Sequence, residues 1–96
     1  MAVYVISEIR ERDNTLFDAY RKLAAASIDK YDGRYIIRGG KVDLIEGGPV
    51  PKTMVVVEFP TMERAKEWYA SPEYAAALKV RRSGAMDRRL LFVEGV

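Results

Sequence analysis

The segment Met54–Ser83, MVVVEFPTMERAKEWYASPEYAAALKVRRS, carries the strongest structural signals of this chain. It begins with four apolar residues in a row, which predict a strand over Met54–Phe59. A strand with one wet face alternates apolar and polar side chains, so this run indicates a strand that is dry on both faces. A chain of 96 residues has too few helices to cover both faces of a sheet. We therefore expect a second copy of the chain to cover one face.

Two helix starts follow this strand. Pro60 ends the strand because it has no backbone N–H, and Thr61 is a suitable cap for the next helix. Ser71 and Pro72 predict a second start, with a capping serine followed by proline at the first helical position. This second helix is expected to end near Gly84. The residues predicted to face the core are Ala65, Trp68, Tyr69, Tyr74 and Leu78.

The N-terminal third of the chain predicts a strand followed by a long helix. Val3–Ile9 is rich in β-formers, and apolar residues spaced by three and four predict a helix over about Thr15–Tyr31. Any residue of Asp13–Thr15 suits the N-cap, and Asp18 stands in capping-box spacing to Thr15. Gly33 is the expected C-cap, because glycine takes the left-handed conformation without strain.

The remaining segments complete a βαββαβ pattern, with strands at Arg34–Arg38 and Arg89–Glu94. Lys41–Ile45 is a candidate continuation of the second strand, and Glu46–Lys52 is predicted to be a loop. This order predicts an α+β, ferredoxin-like domain over residues 1–96, with a four-stranded antiparallel sheet and both helices on one face. The first and third strands, whose apolar runs do not alternate, should be the central pair. The uncovered face then predicts a homodimer packed sheet to sheet.

Composition removes several kinds of site. The chain has no cysteine and no histidine, which excludes disulfides, thiolate nucleophiles and histidine-dependent triads. We expect no metal and no cofactor. No signal peptide and no run of about 20 apolar residues is present, so we expect a cytoplasmic protein without membrane association. The net charge of +2 gives little reason to expect nucleic acid binding.

Three segments carry a family resemblance: KYDGRYIIRGG (Lys30–Gly40), VVVEFPTMERAKEWYASPEY (Val55–Tyr74) and LFVEG (Leu91–Gly95). In these the chain resembles a small uncharacterised bacterial family, about 95 residues long, of the dimeric α+β barrel superfamily. Asp32 departs from the paired glycine of the family pattern. The resemblance implies a ferredoxin-like fold and a dimer, but it supplies no activity and no catalytic residue. Superfamily relatives include cofactor-independent monooxygenases, haem-degrading enzymes and muconolactone isomerases, and several of these depend on histidine.

Glu58 is the candidate catalytic residue, because it interrupts an apolar strand. Partial desolvation there would raise the pKa of its carboxyl and suit it to proton transfer. The alternative is a strand-end acid that pairs with an arginine. The candidate ligand-binding residues combine cations for an anion with aromatic rings for a pocket wall. They are Tyr35, Arg38, Trp68, Tyr74 and Arg81, each of which is also explicable as a core residue or a solvated cation.

Two functions follow from these candidates. The first is the binding or transformation of a small organic molecule, anionic in one version, in a cleft of each subunit of the homodimer. The second is a non-catalytic structural or regulatory dimer in which every polar residue is a cap or a surface pair. RNA binding is a weaker third, because the central strand MVVVEF is apolar and acidic rather than basic and aromatic.

Overall fold

The computed structural model describes all residues, Met1–Val96. Its strands are β1 (Val3–Glu11), β2 (Arg34–Arg38), β3 (Thr53–Phe59) and β4 (Met86–Glu94). Its helices are α1 (Asn14–Lys30), α2 (Met62–Tyr69) and α3 (Pro72–Val80), and a π-type turn over Arg81–Ala85 joins α3 to β4. No helix combines the length and the apolar character needed to cross a membrane.

The four strands form one antiparallel sheet in the order β2-β3-β1-β4. This is the ferredoxin-like arrangement that the sequence predicts, with β1 and β3 at the centre. β1 pairs with β3 and β4, and β3 pairs with β1 and β2, so both strands with non-alternating apolar runs are central, as predicted. The predicted fold class is therefore confirmed.

The two faces of the sheet differ in their cover. On the covered face, Val5 stands between Val57 and Phe92 in register, and α1, α2 and α3 pack over this side. On the open face, Tyr4 stands between Glu58 and Val93. The side chains of the open face are Tyr4, Ile6, Glu8, Arg34, Ile37, Met54, Val56, Glu58, Arg89, Leu91 and Val93.

The N-terminal end of α1 agrees with the prediction, and the C-terminal end differs from it. Of the three candidate residues, Asp13 caps the helix, and its carboxylate accepts a hydrogen bond from the backbone N–H of Leu16 at 2.9 Å. At the other end Asp32, rather than Gly33, has the left-handed φ of 67°. Gly33 is required for space instead, because an added Cβ would lie 2.7 Å from Cγ2 of Ile28 and 2.9 Å from the Phe59 ring.

Two strand boundaries also differ. Lys41–Ile45 does not resume β2, because the pairing with β3 ends at Gly39, whose N–H donates to the carbonyl of Met54. No strand is left beside that segment to receive its hydrogen bonds. The last strand begins at Met86 rather than at Arg89, because β1 continues to Glu11 and pairs with it there. The earlier start brings Arg88 into the sheet.

Candidate functional site

A cavity of about 50 Å³ lies between α1 and the covered face of the sheet. Most of its wall is apolar. Three arginines line it, Arg21, Arg38 and Arg88, and no aspartate or glutamate does. A volume of this size holds a few water molecules or the end of a small ligand. The apolar and uncharged lining residues are Val5, Ser7, Ile9, Phe17, Tyr20, Ala24, Ile28, Tyr35, Val55, Val57 and Trp68.

The polar centre of the site is a cluster of two tyrosines and Arg88. The hydroxyl oxygens of Tyr20 (α1) and Tyr74 (α3) lie 2.6 Å apart. Nη1 of Arg88 donates to Tyr20 at 2.6 Å and to Tyr74 at 2.8 Å. The two rings meet edge to face at 6.3 Å between centroids. The cluster thus ties α1, α3 and β4 together beside the cavity.

This cluster contains more hydrogen-bond donors than acceptors. Arg88 donates to both hydroxyl oxygens, and one hydroxyl proton lies between the two tyrosines. The second hydroxyl proton has no acceptor within the chain. Nε of Arg88 is buried and also lacks a hydrogen-bond partner in the protein. Because arginine only donates, these surplus donors suit a ligand group that only accepts, such as a carboxylate.

The charge of Arg88 is likewise unbalanced. Arg88 is half-buried, and none of the ion pairs of the chain includes it. Charges removed from water are ordinarily paired, because the desolvation of an isolated ion is costly. The tyrosine hydroxyls solvate the guanidinium but do not neutralise it. The site therefore has the electrostatics of an anion site.

Arg21 and Arg38 stand at the other side of the cavity, where it reaches the surface. The guanidinium carbon of Arg38 lies 4.2 Å from the centroid of the Tyr35 ring, which is the geometry of a cation–π contact. Arg21 pairs with Asp18 at 2.9 Å. Two surface grooves, of about 220 and 380 Å³, adjoin this mouth, and the same two arginines border both of them.

Trp68 contributes a firmly held ring to the cavity wall. Its indole N–H donates to Oγ of Ser27 at 3.0 Å, and that hydroxyl in turn donates to the carbonyl of Ala24 at 2.7 Å. The indole packs against the ring of Tyr74 at 4.2 Å between centroids. This packing limits the movement of Tyr74 and so helps to position its hydroxyl.

The phenols of Tyr20 and Tyr35 have raised pKa values. Burial raises the pKa of the Tyr20 hydroxyl, and the neighbouring Tyr74 raises it further against the opposing effect of Arg88. Burial also raises the pKa of Tyr35, although the charge of Arg38 opposes the rise. Both phenols therefore stay protonated, as donors, at neutral pH.

The predicted ligand-binding residues are only partly brought together. Tyr35, Arg38 and Trp68 line the cavity, and Tyr74 joins them through its contacts with Tyr20 and Trp68. Arg81 does not line it. Arg81 lies in the turn after α3, with its Nε buried and without a partner.

Glu58, the predicted catalytic residue, lies on the open face of the sheet, away from this cavity. Nε of Arg34 donates to its carboxylate at 2.6 Å, and this hydrogen bond holds the pKa of Glu58 below its ordinary value. The expectation that the pKa is raised is wrong, because the ion pair outweighs the desolvation. Glu58 is therefore a strand-end acid paired with an arginine, which was the alternative interpretation of this residue from the sequence. A role for Glu58 in proton transfer stays a prediction without support from the cavity.

Sequence reasoning missed Arg88, Tyr20 and Arg21. A signal for Arg88 existed: in β4 the alternation of Phe92 and Leu90 continues to Arg88, which places all three on the covered face. The predicted strand began one residue too late to include it. Tyr20 is one of the residues spaced by three and four that predict α1, but nothing in the sequence shows that its hydroxyl meets that of Tyr74.

The structure contains no group of three or more histidine, cysteine, aspartate or glutamate side chains that could hold a metal ion. The ionisable groups that surround the cavity are arginines and tyrosines, which suit anions rather than cations.

Comparison with known protein families gives one match. The profile of the family described as "Domain of unknown function (DUF1330)" matches residues 2–96, which is nearly the whole chain. Comparison with curated proteins found no match.

Comparison with solved structures shows the fold of the chain in proteins of low sequence identity. A protein of unknown function from Rhodopseudomonas palustris is 18% identical and has a TM-score of 0.78, with 99% of this chain and 82% of that chain covered. A dimeric ferredoxin-like protein of unknown function from Bacteroides fragilis is 17% identical, with a TM-score of 0.66 and coverage of 98% and 96%.

A third similar structure is described as an antibiotic biosynthesis monooxygenase. It is 13% identical to this chain, with a TM-score of 0.56, and the alignment covers 100% of this chain and 99% of that chain. At this identity the likeness concerns the fold alone, because one fold supports many unrelated functions.

Proposed function

The chain belongs to the DUF1330 family, a domain family of unknown function, and we propose that it is a homodimer in which each subunit binds a small organic anion between its sheet and its helices. The observation that carries the binding proposal is the half-buried guanidinium of Arg88, which has surplus hydrogen-bond donors, no carboxylate partner and a place in the cavity wall. A ligand carboxylate would supply both the charge and the acceptors that Arg88 lacks.

The cavity favours binding over acid–base catalysis. Its ionisable groups are arginines and tyrosines, and burial raises the pKa of both Tyr20 and Tyr35. These raised pKa values keep both phenols protonated at neutral pH, whereas an efficient general base has a pKa near the working pH. This supports the binding rather than the transformation of a small organic molecule, which is the first of the two functions that the sequence suggests.

The open face supports self-association. Ile37 is 42% exposed and Val93 is 44% exposed, and both lie on the same side of the sheet as Ile6 and Leu91. A second copy related by two-fold symmetry would bury these residues against their own equivalents. Similar structures from Bacteroides fragilis and Jannaschia sp. are described as dimeric. Light scattering at micromolar concentration tests this, and a mass of 10.9 kDa would contradict it.

The binding proposal is tested with Arg88→Met, which keeps most of the side-chain volume and removes the charge. Thermal unfolding and calorimetric titration with acetate, butyrate and benzoate are compared between the variant and the wild type. We expect the carboxylates to raise the unfolding temperature of the wild type. The variant should show no such rise, while its own unfolding temperature stays equal or increases, because an unpaired half-buried charge has been removed.

Arg89→Met is the matched control. Arg89 is the next residue of β4 and lies on the open face, so its replacement should leave the carboxylate response intact. Failure of all three carboxylates to bind the wild type would show that water satisfies the donors of Arg88. Equal losses in the two variants would show that the response reflects general positive charge rather than this site.

A further inference from the structure

Two arginines that lack carboxylate partners approach the cavity from opposite edges of the sheet. Arg38 belongs to β2 and Arg88 belongs to β4, and these are the two outer strands. Three inter-strand spacings of about 4.8 Å separate the two strands, so their backbones are about 14 Å apart. Both side chains nevertheless line the same cavity. The cavity therefore has a cation at each end.

The two ends differ in the way they hold their cation. At the inner end, Tyr20 and Tyr74 accept hydrogen bonds from Arg88 and fix its guanidinium. At the outer end, the guanidinium of Arg38 stacks on the Tyr35 ring, which leaves its N–H groups in the plane free to donate. The third arginine, Arg21, is engaged by Asp18. Arg88 and Arg38 are thus the cations of the cavity without an internal counter-ion.

The cavity between the two arginines is narrow and mostly apolar. The cavity itself, of about 50 Å³, has room for only a few atoms, and the same arginine, Arg38, borders the larger surface grooves. Val55, Val57 and Phe17 are among its apolar lining residues, and Ser7 is the polar side chain that the central strand β1 adds to the wall. A ligand with a short hydrocarbon chain would match this mostly apolar lining.

We infer that the ligand carries two acidic groups joined by a short apolar chain, one held by Arg88 inside the cavity and the other by Arg38 at its mouth. This inference rests on the proposed function and specifies its ligand class: small dicarboxylic acids, or molecules with two equivalent acidic groups. A monoacid of the same length can satisfy only one of the two cations. The pair of arginines should therefore bind diacids more tightly than monoacids of the same length.

The test compares succinate, glutarate and adipate with butyrate, pentanoate and hexanoate by isothermal titration at fixed ionic strength. We expect at least one diacid to bind the wild type about tenfold or more tightly than the monoacid of the same chain length, because a second charge-assisted contact is added. Arg38→Gln should remove that advantage and leave the affinity for the monoacid nearly unchanged. Arg38 is exposed on an edge strand, so this variant should fold as the wild type does.

Lys41→Gln serves as the control, since it removes one positive charge from the same edge of the molecule without touching the cavity. It should keep the full advantage of the diacid. Equal affinity of diacids and monoacids for the wild type would overturn this inference and leave the proposed anion site standing. Failure of every acid to bind would overturn both. Loss of the advantage in Lys41→Gln as well would also overturn it, because the effect would then be general attraction.

Discussion

Both faces of the sheet carry apolar side chains, but they differ in what lies over them. On the covered face, Phe59 and Val3 are fully buried, because three helices of the same chain pack on them. On the open face, Ile37 and Val93 keep more than 40% of their surface exposed. One face is therefore covered by the chain itself, while the other is left uncovered. The proposed ligand site and the proposed dimer interface lie on opposite sides of one sheet.

The largest effect is expected from truncation on the covered face. Trp68→Ala removes the ring that packs on Phe59 and Tyr74 and leaves Ser27 without its indole donor. We expect a loss of about 3–5 kcal/mol in the free energy of unfolding, a large part of the stability of a domain of this size. Denaturant unfolding measures it. Tyr69→Ala, at the next position and 36% exposed, should cost much less, and an equal cost would contradict the distinction between inner and outer residues.

A charge on the open face should act on association instead. Val93→Asp places a carboxylate on the proposed interface of both subunits, and we expect the dissociation constant of the dimer to rise about 100-fold or more. Sedimentation or light scattering across a dilution series measures this, while circular dichroism should show an intact fold. Leu23→Asp is the control, because Leu23 is similarly exposed, at 39%, on the helical side. An unchanged dimer in Val93→Asp would exclude the open face as the interface.

A smaller effect is expected where the chain approaches the covered face most closely. In Gly33→Ala the new methyl group would meet Ile28 and the Phe59 ring at less than 3 Å. We expect a loss of about 1–3 kcal/mol, because neighbouring groups must shift to admit it. Gly40→Ala, with no atom within 4 Å of the added Cβ, should change the free energy of unfolding by less than about 0.5 kcal/mol. Similar costs at both positions would mean that backbone freedom, not space, explains Gly33.

The smallest effect is expected from pH, through an ion pair on the helical side. Nζ of Lys30 donates to Glu73 at 2.5 Å and Tyr31 donates to it at 2.8 Å, and these hydrogen bonds lower the pKa of Glu73 from 4.5 to about 2. A carboxyl with a lowered pKa stabilises the folded state above its unfolded pKa, and this stabilisation is lost as pH falls from about 4.5 toward 2. Glu73→Gln should therefore flatten the decline of the unfolding temperature over that range.

Glu58→Gln is the counterpart on the open face, because the pKa of Glu58 is lowered too, in this case by the hydrogen bond from Arg34. Melting curves at low salt from pH 6 to pH 2.5 compare both variants with the wild type. The wild type should lose more stability than Glu73→Gln as the pH falls. Parallel curves for the wild type and Glu73→Gln would show that the Lys30 pair contributes nothing in solution, as happens for many surface ion pairs.

Much of the fold could be predicted because the signals are local. Pro60, Thr61 and Ser71 act through backbone geometry and caps within a few residues of themselves, and the structure confirms both caps. The errors arose where a distant partner decides the outcome. Lys41–Ile45 forms no strand because no neighbour is available, and β4 begins early because β1 is long enough to pair with it.

The candidate site was harder to predict for the same reason. Tyr35, Arg38 and Trp68 were chosen by residue type, and the structure brings them to one cavity. Glu58 was chosen because it is a carboxylate that interrupts an apolar strand, but the alternation of β3 directs it to the other face, where it pairs with Arg34. Residue type alone cannot tell which side of a sheet a charge will face when the neighbouring residues are all apolar.

Local patterns along the chain were enough to establish the order of strands and helices, the central position of β1 and β3, and the excess of apolar surface over the helices available to cover it. Caps, turns and periodicity depend on neighbours in sequence, so they can be read without coordinates. The meeting of Tyr20, Tyr74 and Arg88 depends on residues up to 68 positions apart. Such contacts exist only because α1, α3 and β4 pack together and bring these side chains into contact. The position of Arg88 at the centre of the candidate site therefore depends on tertiary packing and not on local sequence.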